Sequence, residues 1–504
     1  MEKHWVNMKL KRIFFIVFIQ ILSFIFFIGC TSETFKEKES VNSKAEVNKY
    51  SLEMESTKKE GYNLPLVVID TNGEKINGNE SIKGTIKVYD SEGKINNLND
   101  EPVLESDIQI KIRGNTTRRV PKKQYSIDLI DESGNKKEEE ILGMPKESEW
   151  ILNAPFEDKS LLRNYMAYSI SGKIMEYAPR AKFCEAFIVD DGKEISANHY
   201  KGVFLMIEQI KRNKNRVNIS KSNPSRGETS FIVEKNNPKE KDIIFNNYGK
   251  EAYLYDYPIL ASYPKKNLTE GQKNYINKAI SIFERSLYSN EFNNKNSGYQ
   301  KYIDVDTFVD YYIINEFFNN TDAGILSTYI YKDFGEKIKA GPVWDFNASM
   351  GNSDVLSPYY DYKGFYMNRT AWFDRLMEDK NFVEKVVNRY KLLRKTYLGD
   401  EYLIDFIDNT VKMLGEAPKR NFEVWPIYMC NQFEMFKDYR NDFSKFEDDP
   451  KKLDEYLKNN TSLFKSTENM ATSYGEEIEM LKVFLINRGR WMDENIEKLY
   501  KWTE

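Results

Sequence analysis

The sequence predicts an α+β body of two lobes, β-rich in its amino-terminal half and helical in its carboxyl-terminal half. Two observations carry this. Short β-branched runs separated by turn signals dominate from Leu64 to Ile130, whereas apolar residues at helical spacing dominate from about Thr269 onward. The chain also has 504 residues with 33 Tyr, 31 Phe and 7 Trp, too long for one small core and far too aromatic for a disordered chain.

Taken in order, residues 1–29 read as a bacterial lipoprotein signal. Lys9, Lys11 and Arg12 precede an apolar run from Ile13 to Ile28, and Phe27-Ile28-Gly29-Cys30 resembles a lipobox, in which Cys30 is acylated and becomes the first residue. The alternative is a short uncleaved anchor. Either way the rest is expected outside the cytoplasmic membrane, and on the lipobox reading it is lipid-anchored on the extracytoplasmic face. Removing residues 1–29 takes away four basic and one acidic side chain, so the net charge falls from −4 to −7. Residues 30–60 are polar and charged, and read as a flexible tether.

LPLVVID, SIKGTIKVYD, DIQIKIRG and KQYSIDLI then read as antiparallel strands, with Glu147–Pro155 as a buried edge. A helix is expected from Asp158 as N-cap to Tyr177. Strands return at Phe183–Asp190, Val203–Gln209 and Ser230–Lys235, the first two joined by an Asp-Gly turn at Asp191. Helices are expected at Thr269–Ser289 and from Asp306 as N-cap. STYIYKD and KIKAGPVWDF form a hairpin, and 370–504 is mostly helical.

Composition excludes several functions. No basic excess favours a nucleic-acid partner. There are only two His, His4 and His199, so a His-rich zinc site is nearly excluded and a Ser-His-Asp triad would rest on His199 alone. A carboxylate-pair glycosidase stays formally open, although the aromatics sit at core spacing. Cys184 and Cys430 could pair or stay as buried thiols, and no CxxC exists.

The sharpest pattern is Asn319-Asn320-Thr321-Asp322, a hairpin, then Trp344-Asp345-Phe346-Asn347. A hairpin returns to where it began, so Asp322 and Asp345, 23 residues apart, should converge. Two converging carboxylates suit a hard divalent cation and the orientation of a hydroxyl. Asp and Asn at hairpin ends also serve simply as turn caps. Between two strands, Arg113-Gly114-Asn115-Thr116-Thr117-Arg118-Arg119-Val120-Pro121-Lys122-Lys123 gathers five cations in one loop. It reads either as a polyphosphate cradle or as a solvated hairpin tip.

IKIRGNTTRRVPKKQYSIDL, WILNAPFEDKSLLRNYMAYSI, YKGVFLMIEQIKRNKNRVNI, FIVEKN and DYYIINEFFNNTDAGILSTYIYKDFGEKIKAGPVWDFNASMGN occur in that order. Together they resemble the spore coat protein H (CotH) kinase family, over roughly residues 60–500. The resemblance implies an atypical protein-kinase-like two-lobed fold that transfers phosphate from ATP, with Mg²⁺ or Mn²⁺, to protein Ser/Thr hydroxyls or to itself. Asp322 matches the catalytic carboxylate and Asp345 the metal-binding one, with Asn347 at a further ligand position. Arg113, Lys122 and Lys123 are nucleotide-binding candidates. Glu208, or Asp158 and Arg163, would complete an ion pair that positions the lysine, or form a structural salt bridge.

Two departures weaken the ligand set: Ser327 replaces a frequent Asn, and Asn347 a frequent Asp. The expected division is signal 1–29, tether 30–60, a β region 61–100, a kinase-like core 101–380 and a helical region 381–504. The expected partners are ATP, a secreted, spore-coat or cell-surface protein substrate, and the membrane through the lipid anchor, with no nucleic acid. The alternative function is a non-catalytic surface binding or structural protein of the same fold.

Overall fold

The computed structural model describes residues 61–245, 248, 257–352, 361–430, 450–459 and 470–504. The expected signal segment, Cys30 and the tether lie outside the described residues. No helix among the described residues is long and apolar enough to cross a membrane.

The amino-terminal half is a closed seven-stranded barrel. Its strands are β1 (Leu66–Asp70), β2 (Ile82–Tyr89), β3 (Leu104–Ile112), β4 (Tyr125–Ile130), β7 (Glu149–Asn153), β8 (Ala181–Val189) and β9 (Tyr200–Glu208), and a small hairpin, β5 (Glu139–Ile141) with β6 (Met144–Glu147), stands apart. The order around the barrel is β1-β2-β3-β4-β7-β9-β8. Period-2 alternation turns Val67, Ile69, Ile86, Val88, Ile108, Ile110 and Ile127 inward, with Trp150, Leu152 and Met206. Closure comes from β1 lying parallel to β8, with Leu66 opposite Glu185. The expected antiparallel meander is present as β1 to β4. The expected buried edge is not an edge: β7 pairs with β4 on one side and β9 on the other, because a closed barrel has none.

Helix α1 (Arg163–Ile174) has Leu162 at its N-cap position, four residues later than expected. Asp158 nevertheless caps it from a distance, since its carboxylate accepts the Arg163 backbone N–H at 2.8 Å. A second, five-stranded sheet follows, in the order β11 (Ile244–Phe245), β12 (Ile259–Tyr263), β10 (Phe231–Lys235), β13 (Thr328–Lys332), β14 (Lys339–Ala340). Helix α2 (Glu270–Leu287) carries a capping box in which Thr269 and Gln272 exchange bonds. Helix α3 (Val305–Phe317) has Asp304 at its N-cap position, two residues before the expected Asp306 and without a side-chain cap bond, and from Tyr311 to Phe317 every residue is buried.

The rest is helical: α4 (Phe373–Leu376), α5 (Lys380–Leu393), α6 (Asp400–Leu414), α7 (Ala417–Val424), α8 (Ile427–Cys430), α9 (Pro450–Asn459) and α10 (Tyr474–Asn495). One continuous core joins α1, the second sheet and the helices α2 to α7 and α10, with Phe231, Phe283, Phe308, Tyr312 and Trp372 among its members. Helices α8 and α9 pack in a separate cluster with Val120, Phe156 and Trp425. Cys184 and Cys430 are both buried free thiols.

Candidate functional site

The turn after α3 and the strand end after β14 meet because β13 and β14 pair, with Ile330 opposite Ala340. Asn320 locks the first segment by donating from its side chain to Asn315 Oδ1 at 3.1 Å. The Asp322 carbonyl accepts the Ile325 and Leu326 N–H groups at 3.0 and 2.8 Å, closing a tight turn. The chain then reaches Ser327, whose hydroxyl donates to Asp345 Oδ2 at 3.4 Å. The expected convergence of Asp322 and Asp345 is therefore present, and Ser327 lies with them.

The backbone here is held in an unusual shape. Asn319, Ser327, Asp345 and Met350 all have positive φ, at 50°, 48°, 63° and 50°. Such left-handed residues cost roughly 1–3 kcal/mol each and persist only where packing over-determines them. Around Asp345 that packing is aromatic: Tyr168 stacks on Trp344 with ring centroids 5.7 Å apart, and its hydroxyl accepts the Asp345 N–H at 3.2 Å.

The electrostatics follow from this packing. Burial and then the charge of Asp322 push the Asp345 carboxyl up to about 6, while Arg113 and the Ser327 hydroxyl pull it down. Arg113 also lies over the Trp344 ring, 5.7 Å from its centroid. The loop expected to cradle phosphate thus delivers its first cation to the acid pair.

The other cations of that loop part ways. Gly114, at φ 106°, makes room for a tight turn in which an added Cβ would sit 2.1 Å from Thr117 Oγ1. Arg118 folds back to donate to the Gly78 carbonyl. Lys123 Nζ donates to the Arg118 carbonyl at 2.9 Å. Lys122 turns into the barrel, where Nζ donates to Val203 O at 2.6 Å and Asn421 Oδ1 at 2.7 Å. The expectation of five cations around one polyphosphate therefore gives way: Arg113 reaches the acid pair, whereas Arg118, Lys122 and Lys123 are drawn into bonds elsewhere.

Neither expected ion-pair partner meets Lys122. Glu208 lies five residues beyond Val203 on β9, roughly 16 Å away along an extended strand. There it pairs with Arg180 at 2.6 Å and accepts from Tyr177 at 3.1 Å. Asp158 and Arg163 pair with each other at 2.6 Å, and Arg163 also holds Glu477 of α10 at 2.7 Å. These are structural ties.

Two further groups escaped the sequence reading. Asn164 of α1 accepts the Phe346 N–H at 2.8 Å and donates to Asn347 Oδ1. A line of amides continues from it: Asn164 to Asn153 at 3.5 Å, Asn153 to Gln124 at 3.0 Å, Gln124 to Thr117 at 2.7 Å. The only signal was a lone Asn in the apolar run LLRNYMAYSI. Exposed Lys239 also belongs to the rim. Partial desolvation lowers its pKa first, and the charges of Arg118, Arg113 and Lys111 lower it further.

The donor set fits a divalent cation of the oxygen-seeking kind. Among the described residues no cluster of three or more His, Cys, Asp or Glu occurs. Two adjacent carboxylates that repel one another, a hydroxyl and the Asn347 carbonyl oxygen suit an ion such as Mg²⁺, which takes one or two carboxylates and completes its shell with water and substrate phosphate.

A family model described as CotH kinase protein matches residues 110–492. The inner spore coat protein H of Bacillus subtilis (strain 168) is 22% identical over 366 residues, covering 71% of this chain and 86% of that relative.

Proposed function

The chain belongs to the CotH kinase family, and on that premise we propose that it is an ATP- and divalent-metal-dependent phosphotransferase acting on protein Ser/Thr hydroxyls, itself included. The observation that carries the proposal is the convergence of Asp322, Ser327 and Asp345 under the charge of Arg113. In this reading the barrel serves as a nucleotide-covering lobe and the helical half as the catalytic lobe of a kinase-like fold.

Asp322, half-buried in its turn, orients the substrate hydroxyl and accepts its proton as the hydroxyl oxygen bonds to the γ-phosphorus and the bond to ADP breaks. Asp345 and Ser327, with Asn347, would hold Mg²⁺ or Mn²⁺, which supplies charge neutralisation on the ATP phosphates. Arg113 adds a fixed cation against the transferring group, and Arg118, Lys111 and Lys239 extend that positive rim. Tyr168 and Asn164 hold the backbone on either side of Asp345, so that no reorganisation is needed as charge shifts.

The substrate is proposed to be a spore-coat or other cell-surface protein, by analogy with the relative's name. The enzyme would be presented on the extracytoplasmic face of the membrane through a lipid on Cys30. Incubation with labelled ATP and Mg²⁺ or Mn²⁺ tests the activity: incorporation into the protein or an added protein acceptor is expected, and no incorporation with either metal would refute it.

A second reading is a non-catalytic binding protein of the same fold. It is favoured by Ser327 at the position of a frequent ligand and by the Asn347 carbonyl oxygen being already engaged by Asn164. It predicts no metal-dependent shift of the melting temperature on adding ATP.

A further inference from the structure

Helix α10 lies beyond the 101–380 stretch expected to hold the kinase-like core, yet one of its faces reaches the segments that carry both acids. Glu477, Phe484 and Arg488 share that face, because seven and eleven residues each return a helix to within about 20° of its starting direction. Glu477 and Arg488 therefore stand roughly 16 Å apart along the helix.

Glu477 acts on the segment after Asp345 through two buried cations. It holds Arg163 at 2.7 Å, and Arg163 donates to the Ser349 and Met350 carbonyls at 3.1 and 3.3 Å. It also lies 4.0 Å from Lys159, which donates to Asn352 Oδ1 at 3.1 Å. Phe484 covers Gly351, at φ 76°, so closely that an added Cβ would sit 2.7 Å from its ring. Arg488, fully buried, serves the other acid. It donates to Glu316 Oε1 at 2.6 Å, and to the carbonyls of Glu316, Tyr362 and Gly364 at 2.7 Å each. Glu316 sits in the last turn of α3, and the turn that carries Asp322 begins just beyond it.

Strain makes this grip matter. Asp345 and Met350 both hold positive φ, and such residues persist only where their surroundings over-determine them. Asn164 fixes the near end at Phe346, and the Met350 N–H donates to the Phe318 carbonyl at 2.8 Å. The far end, Ser349 to Asn352, is held from α10. We propose that α10 is a positioning element of the acid pair, in which Glu477 and Phe484 set Asp345 and Arg488 sets the turn of Asp322. Its consequence for transfer rests on the phosphotransfer reading, whereas the grip itself rests on backbone geometry alone.

The test compares Phe484→Ala with Phe484→Leu and Tyr390→Phe in the whole chain, at a temperature where each is folded. Tyr390→Phe is the control, because that hydroxyl ties α5 to α10 at Gly489 and Asp493 without touching the site segments. Amide hydrogen exchange reads the grip, and Mn²⁺ titration reads its effect on the site. In Phe484→Ala the Phe346 and Met350 amides should exchange roughly tenfold faster, and Mn²⁺ affinity should fall roughly tenfold. Phe484→Leu should restore most of both, and Tyr390→Phe should leave both near the wild type. Arg488→Lys should lower kcat for labelled-phosphate transfer by roughly tenfold while Mn²⁺ affinity stays within a few-fold.

Wild-type exchange at Phe346 and Met350 in Phe484→Ala would overturn the proposal, and so would faster exchange with undiminished Mn²⁺ affinity. Equal losses in Tyr390→Phe would also overturn it, by marking α10 as a purely structural helix. Unchanged kcat in Arg488→Lys would overturn the half that concerns Asp322. A wild type with neither Mn²⁺ binding nor transfer would refute the phosphotransfer reading, and the exchange rates would still decide the grip.

Discussion

Asn164 grips the segment after Asp345 with both ends of its amide: its oxygen accepts the Phe346 N–H at 2.8 Å and its nitrogen donates to Asn347. One buried side chain of α1 therefore fixes the orientation in which Asp345 holds a positive φ of 63°. Asn164→Ala strands a buried N–H and a carbonyl, which costs about 1–3 kcal/mol. Chemical denaturation should show that loss. At temperatures where the variant stays folded, metal affinity should fall further than stability predicts. Wild-type metal affinity in folded Asn164→Ala would show that the amide does not position Asp345.

Asp345 gives a prediction with a definite sign. Its carboxyl titrates near 6 in the folded chain against about 3.8 unfolded. Between about pH 4 and 6 the folded state keeps a proton that the unfolded state has lost, so stability falls as pH rises through that window and the cost persists above it. Asp345→Asn should therefore be more stable than the wild type at pH 7, by roughly 1–3 kcal/mol, and the two should converge below pH 4. Equal stability at pH 7 in metal-free buffer would contradict the strained acid pair.

Lys122 titrates in the opposite sense. Burial lowers its pKa from 10.5 to about 7. Between pH 7 and 10 the unfolded state holds the extra proton, so stability rises with pH, by up to about 1.4 kcal/mol per unit. Replacing it by Met should remove that slope. Parallel stability–pH curves for the two proteins, measured from pH 7 to 9, would contradict the buried, unpaired amine.

Arg163 ties Asp158 to Glu477, bringing α1 and α10 together, and donates to the Ser349 carbonyl at 3.1 Å. Arg163→Ala leaves buried Asp158 without its cation and Glu477 with only Lys159, 4.0 Å away, at a cost of about 3–5 kcal/mol. A melting curve should show this as the largest single loss among the substitutions named. A loss under 1 kcal/mol would mean that water reaches the pair.

How much of this was readable depended on the range of the interaction. The meeting of Asp322 with Asp345 was legible because a hairpin imposes it locally. The strands and helices were legible from spacing, with ends shifted by a few residues at α1 and α3. Barrel closure was not, because it depends on Leu66 meeting Glu185 in a parallel pairing that no local pattern encodes. The inward turn of Lys122 depends on Asn421, 299 residues away, so in sequence the lysine looked like one more surface cation of its loop. Asn164 looked incidental until Phe346, 182 residues later, used it.

The central claim is that Asp345 holds the metal that binds ATP whereas Asp322 acts on the acceptor hydroxyl. Paired measurements of ATP–Mn²⁺ binding by calorimetry and of labelled-phosphate transfer, on Asp322→Ala and Asp345→Ala, test it most directly. The account predicts that Asp322→Ala binds ATP–Mn²⁺ within a few-fold of the wild type yet loses transfer by at least a hundredfold, and that Asp345→Ala loses both. Transfer undiminished in Asp322→Ala, or ATP–Mn²⁺ binding undiminished in Asp345→Ala, would contradict it.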